Sequence, residues 1–157
     1  MRTQEIVDDL VAARQDFYEV LARVEPSSLD APGLVGEWGA REIIAHLGYW
    51  AGRAVDVMLA VAENRAEQLD DGQPSVDEVN ATVARVARET DHATVRRREE
   101  AAVQALIDHL RTVGPAVLEG RLPSGAMVER LVLEDGPEHY RGHADELRRA
   151  LGEGARA

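Results

Sequence analysis

The sequence predicts an all-α protein. Apolar residues recur at three- and four-residue steps over long stretches, and β-branched or aromatic runs of period two are scarce. The composition is rich in Ala, Arg, Val and Glu, with a single Phe and no Cys. At 157 residues the chain is near the size of one domain, able to bury roughly 70% of the surface its unfolded chain exposes. No internal repeat or domain boundary is evident, so residues 1–152 are expected to form one unit, with a flexible tail at 153–157.

The first helix is expected from about Thr3, a candidate N-cap, to Val24. Ile6, Leu10, Phe17, Leu21 and Val24 form its apolar stripe, widened by Val7, Val11 and Val20. Pro26, Pro32, Gly33 and Gly36 then crowd one short stretch, where the chain should reverse. The second and most apolar helix should begin just after Trp38 and run past Met58, through Ile43, Ile44, Leu47, Trp50, Ala51, Ala54, Val55 and Leu59. Asp70 to Pro74 break that pattern. Ser75 to Glu78 form a capping box that opens a short helix at about 76–88.

Thr90 or Asp91 can cap the next helix, whose buried face is marked by Val95, Ala102, Leu106, Ile107 and Leu110 and which should end near Val113. The run Arg96 to Glu100 reads as its solvated face, with i,i+4 pairing. Gly120, Pro123 and Gly125 punctuate a connection, and helical structure should resume at Met127, Leu131 and Val132. A final helix carries His139, Tyr140, His143, Leu147 and Leu151. Gly136-Pro137 predicts a kink before it, or a fresh helix start with Pro137 in the first turn.

Charge and composition exclude several functions. The 29 acidic and 18 basic residues give a net charge of −11, which repels phosphate backbones and removes the electrostatic drive for nucleic-acid binding. Without cysteine there is no disulfide, no thiolate ligand and no cysteine nucleophile. No apolar run approaches the ~18 residues of a membrane span, and no signal peptide is apparent at the N-terminus. A cytoplasmic protein is therefore the expectation.

The informative side chains are histidines. His139 and His143, four apart on a helix, differ by about 40° around the axis and about 6 Å along it, so both rings can face one metal ion. Alone, such a pair is more often two solvated or core histidines. The zinc-peptidase motif is excluded because Tyr140 stands where its Glu base must be. His46 is a third candidate, in the middle of the most apolar helix. Its ring needs a partner there, whether a metal, a carboxylate or a backbone carbonyl.

The segment from Trp38 through Ala40-Arg41-Glu42-Ile43-Ile44-Ala45 to His46 and Leu47, with Trp50 beyond, resembles the second-helix signature of the DinB-like metalloprotein superfamily. The segment from Glu138-His139-Tyr140 to His143, Leu147 and Arg148 resembles its last-helix signature. Val76-Asp77-Glu78-Val79-Asn80 is similar to part of the related mycothiol-dependent maleylpyruvate isomerase N-terminal domains. The resemblance implies a four-helix bundle, with the additional short helix between the second and third core helices. It further implies one divalent metal ion, zinc or nickel, held by His46, His139 and His143 with a position left open.

An open site of three imidazoles is the arrangement of a catalytic rather than a structural centre. Characterised members of the superfamily imply a metal-dependent transferase or isomerase that activates a low-molecular-weight thiol on a small molecule. The alternative is a non-catalytic metal-containing module that binds a small molecule or serves in stress response. Trp38 and Trp50 read first as core anchors, and Trp50, one turn from His46, is also a candidate wall of the substrate pocket. Glu42, Asp135 and Glu146 are weighed as partners for the outer ring nitrogens, though solvated acidic faces explain each equally well. Asn80 reads as a surface residue, and His92 and His109 as solvent-facing residues near helix ends. A homodimer through helix faces would be usual for such bundles.

Overall fold

The computed structural model describes residues 2–152, and the tail expected at 153–157 lies outside the described residues. Its helices are α1 (Arg2–Leu21), α2 (Ala40–Ala62), α3 (Val76–Arg88), α4 (His92–Thr112), the single turn α5 (Pro115–Leu118), α6 (Val128–Asp135) and α7 (Pro137–Ala150). No strand occurs among the described residues, which hold two isolated β-bridges, Val35 with Trp38 and Arg121 with Met127. The bundle is formed by α1, α2, α4 and a last helix broken into α6 and α7, with α2 packed on α4 and α1 on α7. None of the described helices is long and apolar enough to cross a membrane.

In α1 the buried stripe is Ile6, Val7, Leu10, Ala13, Phe17, Val20 and Leu21, narrower than the spacing suggests, since Val11 is exposed. Thr3 lies inside the helix rather than capping it, because helical structure already includes Arg2, whose Nε donates to Glu129 on α6. The helix also stops short of Val24. The Val24 amide bonds back to the Leu21 carbonyl in a tight turn, and Pro26 holds Glu25 extended. Val24 nevertheless stays buried.

Helix α2 lies deepest. At Gly48 a Cβ would stand 3.0 Å from Glu99 Cα, so glycine permits the close approach of α2 to α4. Helix α3 is the short additional helix, opened by Ser75 Oγ accepting from the Glu78 amide at 3.2 Å. It buries little more than Ala84 and Ala87 and leaves Val76 59% exposed, so it rides on α2. Arg88 ties it to the buried Glu42 of α2 at 3.2 Å. Asp91, rather than Thr90, caps α4 by accepting from the Thr94 amide at 2.8 Å.

The run from Arg96 to Glu100 is not uniformly solvated: Glu99 is 1% exposed. Its two oxygens accept from Arg14 Nε at 2.8 and 3.0 Å, from the Tyr18 hydroxyl at 2.9 Å and from the Tyr140 hydroxyl at 3.2 Å. One buried carboxylate thus joins α1, α4 and α7. Burial, and then the nearby Glu99, raise both phenols above their ordinary range, so both stay protonated as donors.

Gly136-Pro137 gives a fresh helix start. Pro137 occupies the first turn of α7, where its missing N–H is not needed. The Gly136 amide closes α6 on the Val132 carbonyl at 2.9 Å, and a Cβ at Gly136 would stand 2.8 Å from that same oxygen. At the other end of α7 the buried Arg148 pairs with Asp16 of α1 and with Asp145.

Glu99→Ala should lower stability by about 3 kcal/mol in urea denaturation, because it strands three donors around an empty site. Glu100→Ala, one residue on and exposed, should change it by less than about 0.5 kcal/mol. Equal effects would contradict the assignment of Glu99 as a buried junction.

Candidate metal centre

His46 sits in the middle of α2 at 8% exposure, flanked in sequence by the buried Ile43, Ile44 and Leu47. The loop before α2 lays Trp38 against it, ring centroids 4.8 Å apart and tilted by 55°. Because α7 starts afresh at Pro137, His139 falls in its first turn and His143 one turn on, both half-buried. The three rings converge. Centroids are 4.6 Å apart for His46 and His139, 5.2 Å for His46 and His143, and 4.9 Å for His139 and His143. His46 Nε2 and His139 Nε2 are 2.8 Å apart, and one nitrogen from each ring lies within 4.8 Å of the other two.

Burial, and then the other rings, lower the pKa of His46 to about 4 and of His139 to about 3. Both are neutral at pH 7, the form in which an imidazole can donate a lone pair to a metal. On the outer side, His143 Nδ1 is 2.9 Å from Glu146 Oε2. His46 Nδ1 and His139 Nδ1 are buried with no hydrogen-bond partner among the described residues. Of the three carboxylates weighed as orienting groups, Glu146 reaches a ring, Glu42 is paired with Arg88, and Asp135 faces a cleft.

A family model described as the DinB superfamily matches residues 9–145. The chain belongs to the DinB superfamily. The match runs from α1 into α7 and so includes all three histidines. No curated protein and no solved structure matches the sequence significantly.

In this superfamily member a cleft of about 300 Å³ opens between α2, α3 and α6, and none of the three histidines lines it. Trp50 and Arg53 of α2, Val79 of α3, and Leu131 and Asp135 of α6 line it. Trp50 follows His46 by one turn of α2, and Asp135 is the last residue of α6, ahead of the break that precedes His139. A second opening of about 280 Å³ reaches His139 and His143 directly, between Glu134, Glu138 and Glu146. Burial pushes the Asp135 carboxyl up to about 7; Glu134 adds to the shift and Arg53 opposes it.

Three residues differ from their sequence reading. Asn80 is half-buried, and its Oδ1 accepts from Trp50 Nε1 at 2.9 Å. It falls one turn before the buried Ala84 and seven residues before the buried Ala87, on the inward stripe of α3, which is the signal that marks it. His92 Nε2 lies 2.6 Å from Asp30 Oδ1, pinning the start of α4 to the loop before α2. His109 is half-buried, with its Nε2 unpartnered among the described residues.

The raised Asp135 fixes a sign for pH dependence. Its folded-state pKa lies above the unfolded value near 4, so its contribution to stability falls as pH rises from about 4 to about 7 and then levels off. Asp135→Asn should therefore be more stabilising, relative to wild type, at pH 8 than at pH 5. Metal-free protein unfolded in urea should show a difference on the order of 2–3 kcal/mol between the two pH values. An unchanged gap would mean that Asp135 ionises freely in the fold.

Proposed function

We propose that His46, His139 and His143 hold one divalent ion, zinc or nickel, and that the protein is a metal-dependent transferase or isomerase using a low-molecular-weight thiol. The observation that carries this reading is the convergence of three ligand nitrogens within 4.8 Å of one another, drawn from two separate helices. The donor set fits. Tetrahedral zinc with bonds of ~2.0–2.1 Å spaces its ligand atoms about 3.3 Å apart, within the range of separations here. The His46 and His139 rings are neutral and turn Nε2 toward one another, with Nδ1 on the outer side.

When bound, the ion supplies Lewis acidity that favours the deprotonated form of a thiol or water. The chain's own residues do the rest. Glu146 orients His143 through Nδ1. Trp50 walls the cleft in which the small-molecule substrate lies, and Asp135 exchanges a proton with it near neutral pH. The chain has no cysteine, so the thiol comes from a cosubstrate. The net charge of −11 argues against nucleic acid as the partner.

Elemental analysis of untagged protein should find about one zinc or nickel per chain. His46→Ala and His143→Ala should each weaken the site by about 100-fold or more while helicity by circular dichroism is unchanged. A low-molecular-weight thiol added to nickel- or cobalt-loaded protein should produce a thiolate-to-metal charge-transfer band. Metal without that band would favour the metal-containing binding module. Failure to take up either metal would leave a helical binding module and remove the enzyme reading.

A further inference from the structure

His46 turns Nε2 toward His139 Nε2, 2.8 Å away, which leaves Nδ1 as its outer nitrogen, buried and without a partner. An imidazole that binds metal through Nε2 carries its proton on Nδ1, and an acceptor there fixes both tautomer and ring orientation. The nearby acids are engaged elsewhere: Glu42, one turn before His46, pairs with Arg88, and Glu99 takes up Arg14 and two phenols. Asn80 remains. Its amide oxygen has two lone pairs, of which Trp50 Nε1–H uses one at 2.9 Å. Trp50 and His46 are one turn apart on α2, so a single group on α3 can reach both. The Asn80 amide stands beside the His46 ring without a formed hydrogen bond to Nδ1.

We propose that Asn80 is the positioning residue of His46: with a metal at Nε2, its amide oxygen, already accepting from Trp50 Nε1–H, takes the His46 Nδ1–H as well, a bond this structure does not yet form. Resting on the proposed metal centre, this adds a residue that touches neither ion nor substrate. It also gives α3 a purpose: the helix buries little of itself, yet it carries the group that sets the most buried ligand.

The test uses the full chain with zinc alone, titrated against a chromophoric chelator, and three proteins: wild type, Asn80→Leu and Asn80→Asp. Leucine keeps the size of the side chain and removes the acceptor; aspartate keeps the acceptor. Asn80→Leu should weaken zinc binding by about 10- to 100-fold, while Asn80→Asp stays within about threefold of wild type. In zinc-loaded wild type, ¹⁵N NMR should show His46 protonated on Nδ1, with that proton protected from exchange; this measurement does not depend on how either variant folds. Equal zinc affinity in wild type and Asn80→Leu, loss of affinity in Asn80→Asp to the level of Asn80→Leu, or a His46 protonated on Nε2 would each overturn the role of Asn80 and leave the centre standing. Absence of zinc binding by wild type would overturn the centre itself and this role with it.

Discussion

The angular setting of the last helix is the constraint on which the site depends, and the buried carboxylate of Glu99 sets it. On α7, Tyr140 follows His139 by about 100° of rotation and His143 by about 40° in total, so the phenol and the imidazoles leave adjoining sectors of one helix. With Tyr140 held on Glu99, the two histidines are turned toward α2, where His46 waits. Arg14 and Tyr18 bring α1 to the same carboxylate. A buried charge is rarely worth its desolvation as a source of stability alone. Here it specifies which way three helices face.

The break at Gly136-Pro137 complements that junction. A continuous helix from Val128 to Ala150 would fix one rotation for α6 and α7 together, yet α6 packs on α2 while α7 packs on α1. Separating them lets Asp135 close the cleft beside Trp50 while His139 enters the cluster from a new first turn. Only glycine fits at the joint, because a Cβ there would meet the Val132 oxygen. The proline that looks like a defect in the last helix is what allows α6 and α7 to serve different faces.

Most of the frame was legible in the sequence because caps and periodicity are local. Ser75 and Asp91 open α3 and α4 where the spacing places them, and the three histidines stand out as polar groups in apolar or ligand-spaced settings. Glu99 and Asn80 were misread for a common reason: their polarity was weighed above their position. Glu99 lies four residues after Val95 and four before Val103, on the inward stripe of α4, and Asn80 lies on the inward stripe of α3. Their partners, Arg14, Tyr18, Tyr140 and Trp50, come from distant segments, so no local pattern could show that either polar group was satisfied. Thr3 and Val24 were misplaced for the opposite reason, since helix ends depend on neighbours such as Glu129 and on the proline two residues after Val24.

The electrostatics of the site follow from the same division between buried and exposed. Burial keeps His46 and His139 neutral, while the mouth over His139 and His143 is ringed by Glu134, Glu138 and Glu146 on a chain of net charge −11. Arg130 offsets the first two through ion pairs, leaving Glu146 to face His143. Such a field concentrates divalent cations at the opening and discourages anions until a cation is in place. Imidazoles beneath an acidic rim therefore make the opening selective by charge before any contact is made: cations are drawn to it and free anions are held off.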